Sequence, residues 1–392
     1  MEVSDKREEA VRRILNGFSP QDYSLPEDFV LTKLTGMKGC GCKVPREILL
    51  ELLKTFGSEV VVDNDAVGIG LDSCVVPLRH KGLNLVQTTD FFYPLVDDPY
   101  IMGRITCANV LSDLYAMGVV DCDNMLMLLG VAVDLNEKER DTIVSQFIQG
   151  FKDAADLAET QVRGGQTVRC PWLLLGGVAT SVVSNEELIR VDRAEPGDVL
   201  VITKPIGGQA VVNSYEWLKK KDTKIEELGL EPAKIVRAFQ QTCEQMARLN
   251  RNAARLLHKY KAHSSTDVTG FGILGHADNL ARAQQNRVDF VIEKLPIIEY
   301  AEEVANKMIS AGGEGFRLFK GTSAETSGGL LIALAPENVE GFIREIEELD
   351  GFPAWVVGKV VARDESSSEI PNKAYISEVF TTECVKSRIH QN

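Results

Sequence analysis

The amino-acid sequence predicts a mixed α/β (α+β) chain that folds into two domains, and three observations support this. Its 392 residues are 44% hydrophobic, which is enough to fill two cores. Apolar runs typical of strands alternate with capped helical segments. The polar run Ser184–Asp198 separates two such series and is the predicted domain boundary. The predicted divisions are an N-terminal extension with a mobile glycine-rich arm (1–60), an N-terminal domain (61–184), a C-terminal domain (197–365) and a tail (366–392).

Charge and cysteine content exclude several classes of function. A net charge of −14 counts against a nucleic-acid partner, which would require a basic face. The eight cysteines lack the spacing of a disulfide framework, which indicates a reducing compartment. Segment 1–15 has no apolar core of a secretory signal, and no run reaches the roughly 18 apolar residues of a membrane span. We therefore expect a cytoplasmic protein with no membrane partner, which would need metal ions to bind a polyphosphate.

Local signals predict the order of helices and strands. Asp98 before Pro99 begins a helix that Gly118 ends, and Asn136 with Glu139 forms a capping box. The predicted helices are 5–15, 46–55, 99–117, 136–158, 210–220, 232–258 and one ending at 283. The predicted strands are 67–78, 83–90, 125–133, 172–183, a strand with a turn at 199–207, 329–334 and 355–361, and segment 363–369 is predicted to be disordered.

The most distinctive stretch is Gly39-Cys40-Gly41-Cys42-Lys43. It sets a thiol and an ammonium three residues apart on a flexible backbone. A nearby lysine lowers the pKa of a thiol, and the same ammonium can hold a phosphate, so the pattern suits chemistry on a phosphorylated substrate. The alternative is that Cys-x-Cys is half of a structural zinc site, although the other cysteines are scattered singly. The stretch is not a phosphate-binding P-loop, because Cys42 precedes the lysine and Val44 replaces the Ser/Thr that would hold magnesium.

Two predicted elements bring carboxylates together. The hairpin of strands 67–78 and 83–90 places Asp72 nearly opposite Thr89 and Asp90. On the helix at 99–117, Asn109 and Asp113 share one face of a segment that lacks Lys and Glu and is therefore expected to be buried. A buried carboxylate must be paired or bound to metal, so Asp113 is either a metal ligand or the partner of an arginine or a backbone amide.

Two glycine-containing segments complete the candidate residues. Gly164-Gly165-Gln166-Thr167 precedes a predicted strand and either cradles phosphate with its backbone amides or forms a turn. The second segment, 266–275, contains G-x-G-x-x-G, but no apolar strand precedes it, which argues against dinucleotide binding. It supplies a fourth carboxylate, Asp267, in a hydroxyl-rich turn, and we expect the nearby His276 to be a packed or capping residue.

Together these motifs resemble the selenophosphate synthetase family over residues 30–362. The resemblance rests on the arm at 39–43, Leu71-Asp72, Thr88-Thr89-Asp90, the run 108–113, Gly164 to Thr167 and the run 266–272. It implies the aminoimidazole-ribonucleotide synthetase-like fold of two α/β domains. It also implies a homodimer in which the N-terminal domains join their strands into a shared β-barrel.

The resemblance further implies an activity: ATP, selenide and water give selenophosphate, orthophosphate and AMP, with Mg²⁺ and a potassium dependence. Cys40, where many members carry selenocysteine, and Lys43 are the implied catalytic residues. Asp72, Asp90, Asp113 and Asp267 are the implied metal residues. The implied ATP-binding residues are Lys43, Gly70, Leu71, Asp72, Thr89, Asp90, Asp113, Gly164, Gly165, Gln166 and Thr167. Selenium-delivery and selenocysteine-synthesis proteins are the implied partners.

Two alternatives remain open. One is another ATP-using enzyme of the superfamily that acts on a ribonucleotide or thiamine phosphate, although such relatives need no Cys-Gly-Cys-Lys arm. The other is a non-catalytic, nucleotide-binding regulatory paralogue, against which the thiol at Cys40 argues. Residues 1–29 and the serine-rich segment 363–369 fall outside the family pattern.

Overall fold

The structure is a computed structural model that describes residues 3–53, 62–63, 66–67, 72–363 and 371–390. Gly70 and Leu71, two of the predicted ATP-binding residues, lie outside the described residues. Two mixed sheets, each accompanied by helices, form the fold, and this confirms the predicted α/β class. Among the described helices, none combines the length and apolar character that a membrane span requires.

The first sheet has seven strands in the order β1-β2-β3-β4-β7-β5-β6. Only β5 and β6 pair in parallel among the described strand pairs of this sheet. Helix α3 packs against β4 and β7, and α4 packs against α3. The elements are α1 (Val3–Asn16), α2 (Arg46–Leu53), β1 (Val62–Asp63), β2 (Ala66–Val67), β3 (Cys74–Pro77), β4 (Leu83–Phe92), α3 (Pro99–Ala116), β5 (Asn124–Ala132), α4 (Glu137–Leu157), β6 (Val162–Cys170) and β7 (Leu174–Ser184).

The second sheet has six strands in the order β13-β10-β12-β8-β11-β9. Its elements are β8 (Val199–Ile202), α5 (Gly208–Lys220), α6 (Lys224–Glu227), α7 (Pro232–Ala247), α8 (Arg251–Lys259), β9 (Ser264–Asp267), α9 (Gly272–Arg282), β10 (Val288–Ile298), α10 (Ala301–Ser310), β11 (Leu330–Leu334), α11 (Pro336–Asp350), β12 (Trp355–Ala362) and β13 (Ala374–Val385). Strand β13 pairs in parallel with β10. The predicted tail at 366–392 therefore contains a strand of this sheet.

Helix α3 confirms its predicted caps. The Asp98 carboxylate accepts hydrogen bonds from the backbone N–H groups of Tyr100 and Ile101, and Gly118 follows the helix with a φ of 77°. Every residue of α3 except Asp113 is buried, because the helix lies between the first sheet and helices α4, α7 and α8. The burial that was predicted from the absence of Lys and Glu in this segment is confirmed. The capping box of α4 is also present.

Three further sequence predictions differ from the structure. The strand expected at 67–78 is divided between β2 and β3, and the helix expected at 232–258 is divided into α7 and α8. Residues 164–167 lie inside strand β6 instead of a turn or cradle. Helix α1 of the N-terminal extension packs against the rest of the fold, because its Ala10 and Ile14 are buried in the core.

One face of the first sheet carries exposed apolar side chains, and none of the described helices covers it. The ladder registers place Val76, Phe91, Val168 and Val182 on this face, opposite to that of Asp90. Phe91 is 57% exposed. Strand β6 forms the edge of the sheet and is exposed along most of its length. An uncovered apolar face beside an open edge is typical of a protein interface.

Candidate active site

A polar cavity of about 490 Å³ lies where β4, α3 and β9 meet. Four aspartates from four parts of the chain line it: Asp72 precedes β3, Asp90 is on β4, Asp113 on α3, and Asp267 ends β9. The register Cys74↔Gln87 leaves Asp72 just beyond the ladder on the side of Asp90, as the hairpin predicts. The sequence thus brings together all four predicted metal residues. Lys43, Thr88, Thr89, Thr266, Thr269, Phe271 and His276 also line the cavity.

Hydroxyl and amide groups orient three of the four carboxylates. Thr88 Oγ1 donates to Asp113 Oδ2 at 2.5 Å, and Thr266 Oγ1 donates to Asp72 Oδ1 at 2.9 Å. Asn109 Nδ2 donates to Asp90 Oδ2 at 2.5 Å. These donors fix the carboxylates in place before any ligand binds.

The carboxyl groups are crowded enough to disfavour their own ionisation. Burial is the main cause that raises the pKa of Asp72 and of Asp113, and repulsion from Asp267 adds to it in both cases. Burial likewise raises the pKa of Asp267 to about 6, against the opposing effects of the Ser112 hydrogen bond and the Lys43 ammonium. Cations at this position would reverse these effects, because they stabilise the ionised carboxylates.

The residues fit magnesium. Asp267 Oδ2 is buried and has no hydrogen-bond partner among the described residues. Ligand atoms of Asp72, Asp267 and His276 lie within 4.8 Å of one another. Mg²⁺ favours carboxylate oxygens together with phosphate oxygens and water, which is the chemistry that this cavity offers.

His276 was missed as a member of this group. It is buried, and its Nε2 lies 3.4 Å from the donating backbone N–H of Phe271, so it is the packed histidine that the sequence predicts. Burial lowers its pKa to about 3, and the charges of Lys43 and Arg46 contribute. A neutral imidazole can serve as a metal ligand, but its approach to Asp72 depends on tertiary folding that no local motif reports.

Lys43 lies over the cavity, as the arm predicts. Its Nζ is 5.7 Å from the centre of the Phe271 ring. Burial by itself lowers the pKa of this ammonium, but the carboxylates of Asp90, Asp113 and Asp267 outweigh burial, and the pKa is raised. Gly270 makes this placement feasible, because a Cβ there would lie 2.5 Å from the Cys40 carbonyl oxygen and 2.9 Å from Lys43 Cδ.

Cys40 is docked and inaccessible in the structure. The arm is held by a hydrogen bond from the Gly39 N–H to the Tyr93 carbonyl oxygen at 2.9 Å and from the Cys40 N–H to Thr326 Oγ1 at 3.1 Å. The Cys40 side chain is 2% exposed, and its Sγ lies 3.6 Å from Asn109 Oδ1. Burial, aided by the Asp90 charge, raises the pKa of the thiol more than Lys43 lowers it. The predicted lowering of the thiol pKa is therefore wrong for the docked arm.

The zinc alternative finds no support. Cys42 is half-buried and its thiol donates to the Lys38 carbonyl oxygen at 2.9 Å. Within the described ranges, no group of three metal-ligating side chains contains a cysteine.

The predicted ATP-binding residues on β6 are not brought to the cavity in a single chain. Gly164, Gly165, Gln166 and Thr167 lie three strands away from β4, which is roughly 15 Å at the usual strand spacing. Gly165 has a local structural role, because a Cβ there would lie 1.9 Å from the Met127 carbonyl oxygen. The motifs named Thr88 and Asn109 but not their hydrogen bonds to Asp113 and Asp90, and they did not include Thr326, because the partners of these residues are distant in the chain.

Comparison with known proteins first identifies the broad class to which this protein belongs. The family described as AIR synthase related protein matches with its N-terminal domain over residues 70–183 and its C-terminal domain over residues 195–370. Among solved structures, a thiamine monophosphate kinase from Aquifex aeolicus is similar with a TM-score of 0.57 at 18% identity, covering 87% of this chain and 99% of that one. The hydrogenase maturation protein HypE in complex with ATP is similar with a TM-score of 0.55 at 16% identity, covering 86% and 92%. This similarity shows the fold of an AIR synthase related protein.

Relatives with higher sequence identity identify the family within this class. A probable selenide, water dikinase of Caenorhabditis elegans is 72% identical over 358 residues, which is 91% of this chain and 95% of the relative. Selenide, water dikinase 2 of Homo sapiens is 47% identical over 396 residues, 93% of this chain and 87% of the relative. The chain belongs to the selenide, water dikinase family.

Proposed function

We propose that the protein synthesises selenophosphate from ATP, selenide and water, releases AMP and orthophosphate, and so supplies activated selenium for selenocysteine synthesis. The observation that carries this proposal is the meeting of four aspartates and Lys43 in one cavity, with the Cys40 arm docked beside it. Relatives that carry the name selenide, water dikinase support the same reaction.

In this proposal, Asp72, Asp113 and Asp267 hold Mg²⁺, and Asp90 serves the same cluster of metal and phosphate. The bound ions would neutralise the phosphate charges and stabilise charge that develops during phosphoryl transfer. The potassium dependence rests on the family resemblance alone.

The chain's own residues have distinct roles. Lys43 binds the ATP phosphates, because its raised pKa keeps it cationic at neutral pH. Cys40 orients selenide for attack on the terminal phosphoryl group. The docked arm excludes water at that step, since its backbone closes against Tyr93 and Thr326.

We include a homodimer in the proposal. The uncovered face with Phe91 and Val182 and the open edge of β6 support a second copy that completes a shared barrel. Because residues 164–167 lie three strands from the cavity of their own chain, we propose that they contact ATP through this dimer.

A cytoplasmic location is also part of the proposal, since all eight cysteines are free. Selenium-delivery and selenocysteine-synthesis proteins are the proposed partners, and the acidic net charge of −14 argues against nucleic acid. A thiamine phosphate or ribonucleotide as substrate is less well supported, because the relevant similarity is 18% identity. A regulatory paralogue is disfavoured by the thiol and the complete set of aspartates.

The test is ³¹P NMR of the protein with ATP, Mg²⁺ and selenide under anaerobic conditions. We expect a selenophosphate signal that grows together with AMP and orthophosphate and that is absent without selenide. A folded protein that yields neither selenophosphate nor AMP would contradict the proposal.

A further inference from the structure

A second large cavity, of about 1270 Å³, lies between α1, the end of α4 and helices α7 and α8. It shares no lining residue with the cavity of the four aspartates. Six arginines and four acidic residues line it, together with apolar side chains such as Ile14 and Leu249. We refer to it as the arginine cavity.

Arg104 is the most unusual residue of the arginine cavity. It is on α3 and is 3% exposed. Its Nη1 donates to the Tyr100 hydroxyl at 3.3 Å, and its Nε has no hydrogen-bond partner among the described residues. In the described part of the chain, no carboxylate forms an ion pair with it. A buried guanidinium without a counter-ion is costly, so an anion from outside the chain would complete its surroundings.

Arg248, at the end of α7, has a similar environment. Its guanidinium carbon lies 3.7 Å from the centre of the Phe352 ring, and its Nη1 is buried without a partner in the described residues. The nearest carboxylate oxygen, Glu244 Oε1, is 3.9 Å from its Nε, which exceeds hydrogen-bond distance. Two arginines of the same cavity therefore have buried N–H groups that no described residue satisfies.

Two of the nearby acidic groups are already engaged. Arg251 Nη2 donates to Glu159 Oε2 at 2.9 Å, and Asn252 Nδ2 donates to Asp350 Oδ1 at 2.7 Å. The arginines also outnumber the acids, so the cavity has an excess of positive charge in a protein that is acidic as a whole. That excess favours a negatively charged occupant.

We propose that the arginine cavity is a second ligand site that binds a small organic anion, with Arg104 and Arg248 holding its charged group. Arginine recognises planar or tetrahedral oxyanions through paired N–H donors, so the charged group is a carboxylate or a phosphate monoester. The apolar wall formed by Ala10, Ile14 and Leu249 suits an apolar body on the same molecule. The site is distinct from the ATP and metal cavity.

The test is isothermal titration calorimetry of the full chain in EDTA, which removes metal-dependent phosphate binding at the aspartates. The probes are phenyl phosphate and phenylacetate, and neutral benzyl alcohol is the reference. We expect saturable binding of at least one anion and none of benzyl alcohol. The anion that binds with the higher affinity identifies the preferred charged group.

Substitutions test whether the anion binds in the arginine cavity. Arg104→Met and Arg248→Met should each weaken it about 10- to 100-fold, as expected for the loss of charge-assisted hydrogen bonds. Arg344→Met, at an exposed position on α11, and Asp113→Asn in the other cavity should leave it unchanged. Circular dichroism establishes folding, and Arg104→Lys replaces Arg104→Met if the latter does not fold. Absence of saturable binding by both anions, or equal binding in the folded arginine variants, would overturn the proposal.

Discussion

The sulfur of Cys40 lies 3.6 Å from Oδ1 of Asn109, although 69 positions separate the two residues in sequence. The same amide is fixed at both ends, because Asn109 Oδ1 accepts from the Ser327 N–H at 2.9 Å and Nδ2 donates to Asp90 Oδ2 at 2.5 Å. Asn109 therefore connects the docked thiol to the aspartate cavity.

Asn109→Ala tests this connection. We expect turnover to fall about 10²-fold or more, as for removal of one preorganised polar group. Alkylation of Cys40 by iodoacetamide should become faster, because the docked arm loses a contact. Peptide mass spectrometry measures the modification of Cys40 against that of Cys42 in the same sample. Unchanged turnover together with unchanged Cys40 reactivity would show that the amide has no such role.

Asp113→Asn and Asp267→Asn should abolish turnover and leave the fold intact. Each substitution removes a metal-ligand charge without changing core volume, and it also removes repulsion from a cluster whose pKa values are raised. The melting temperature of the metal-free variants should therefore equal or exceed that of the wild type. Asp141→Asn, at an exposed position on α4, is the control. Near-normal activity of either variant at low magnesium would refute its role as a ligand.

Lys43→Ala should reduce turnover about 10²- to 10³-fold, and Lys43→Arg should restore it only in part, because a planar guanidinium does not fit an ammonium position. Thermal stability should be unaffected. Steady-state kinetics with ATP compare both variants with Lys81→Ala in the exposed turn between β3 and β4. Full activity of Lys43→Ala would show that Lys43 is only a solvated charge with no role in turnover.

Phe91→Asp should convert the proposed homodimer to monomers, because it places a charge on the uncovered apolar face of the first sheet. Sedimentation equilibrium measures the mass, and Val379→Asp, at an 85% exposed position on β13, is the matched control. We expect activity to fall with the dimer, since residues 164–167 are proposed to act through it. A wild type that sediments as a monomer would contradict the proposed homodimer.

Local signals were sufficient where the structure itself is local. Asp98 and Gly118 bound α3 correctly because capping depends on neighbouring residues. The hairpin register brought Asp72 towards Asp90 for the same reason. Strand β13 could not be recognised, because it is stabilised by parallel pairing with β10 far away in sequence. Strand β6 was obscured by its two glycines, of which Gly165 is needed because the Met127 backbone approaches it closely.

In the candidate site, too, local motifs predicted which residues are present but not the contacts they make with residues distant in sequence. The motifs supplied the aspartates, Lys43 and Cys40, but the electrostatic state of Cys40 depends on its burial against Asn109 and Thr326. Sequence reasoning considered Lys43 alone and predicted a lowered thiol pKa, whereas desolvation dominates in the docked arm. Burial of the docked thiol thus favours its neutral form, and cations in the aspartate cavity would offset the contribution of the Asp90 charge.

We propose that the Cys40 thiol takes part in selenide-dependent phosphoryl transfer and that Cys42 is dispensable. The most direct measurement is selenophosphate formation at saturating ATP, followed by ³¹P NMR, for Cys40→Ser, Cys42→Ser, Cys40→Sec and the wild type. We predict that Cys40→Ser loses most turnover yet still binds ATP, that Cys42→Ser keeps much of it, and that Cys40→Sec exceeds the wild type because a selenol ionises more readily. A Cys40→Ser protein as fast as the wild type would show that the thiol takes no part in the reaction.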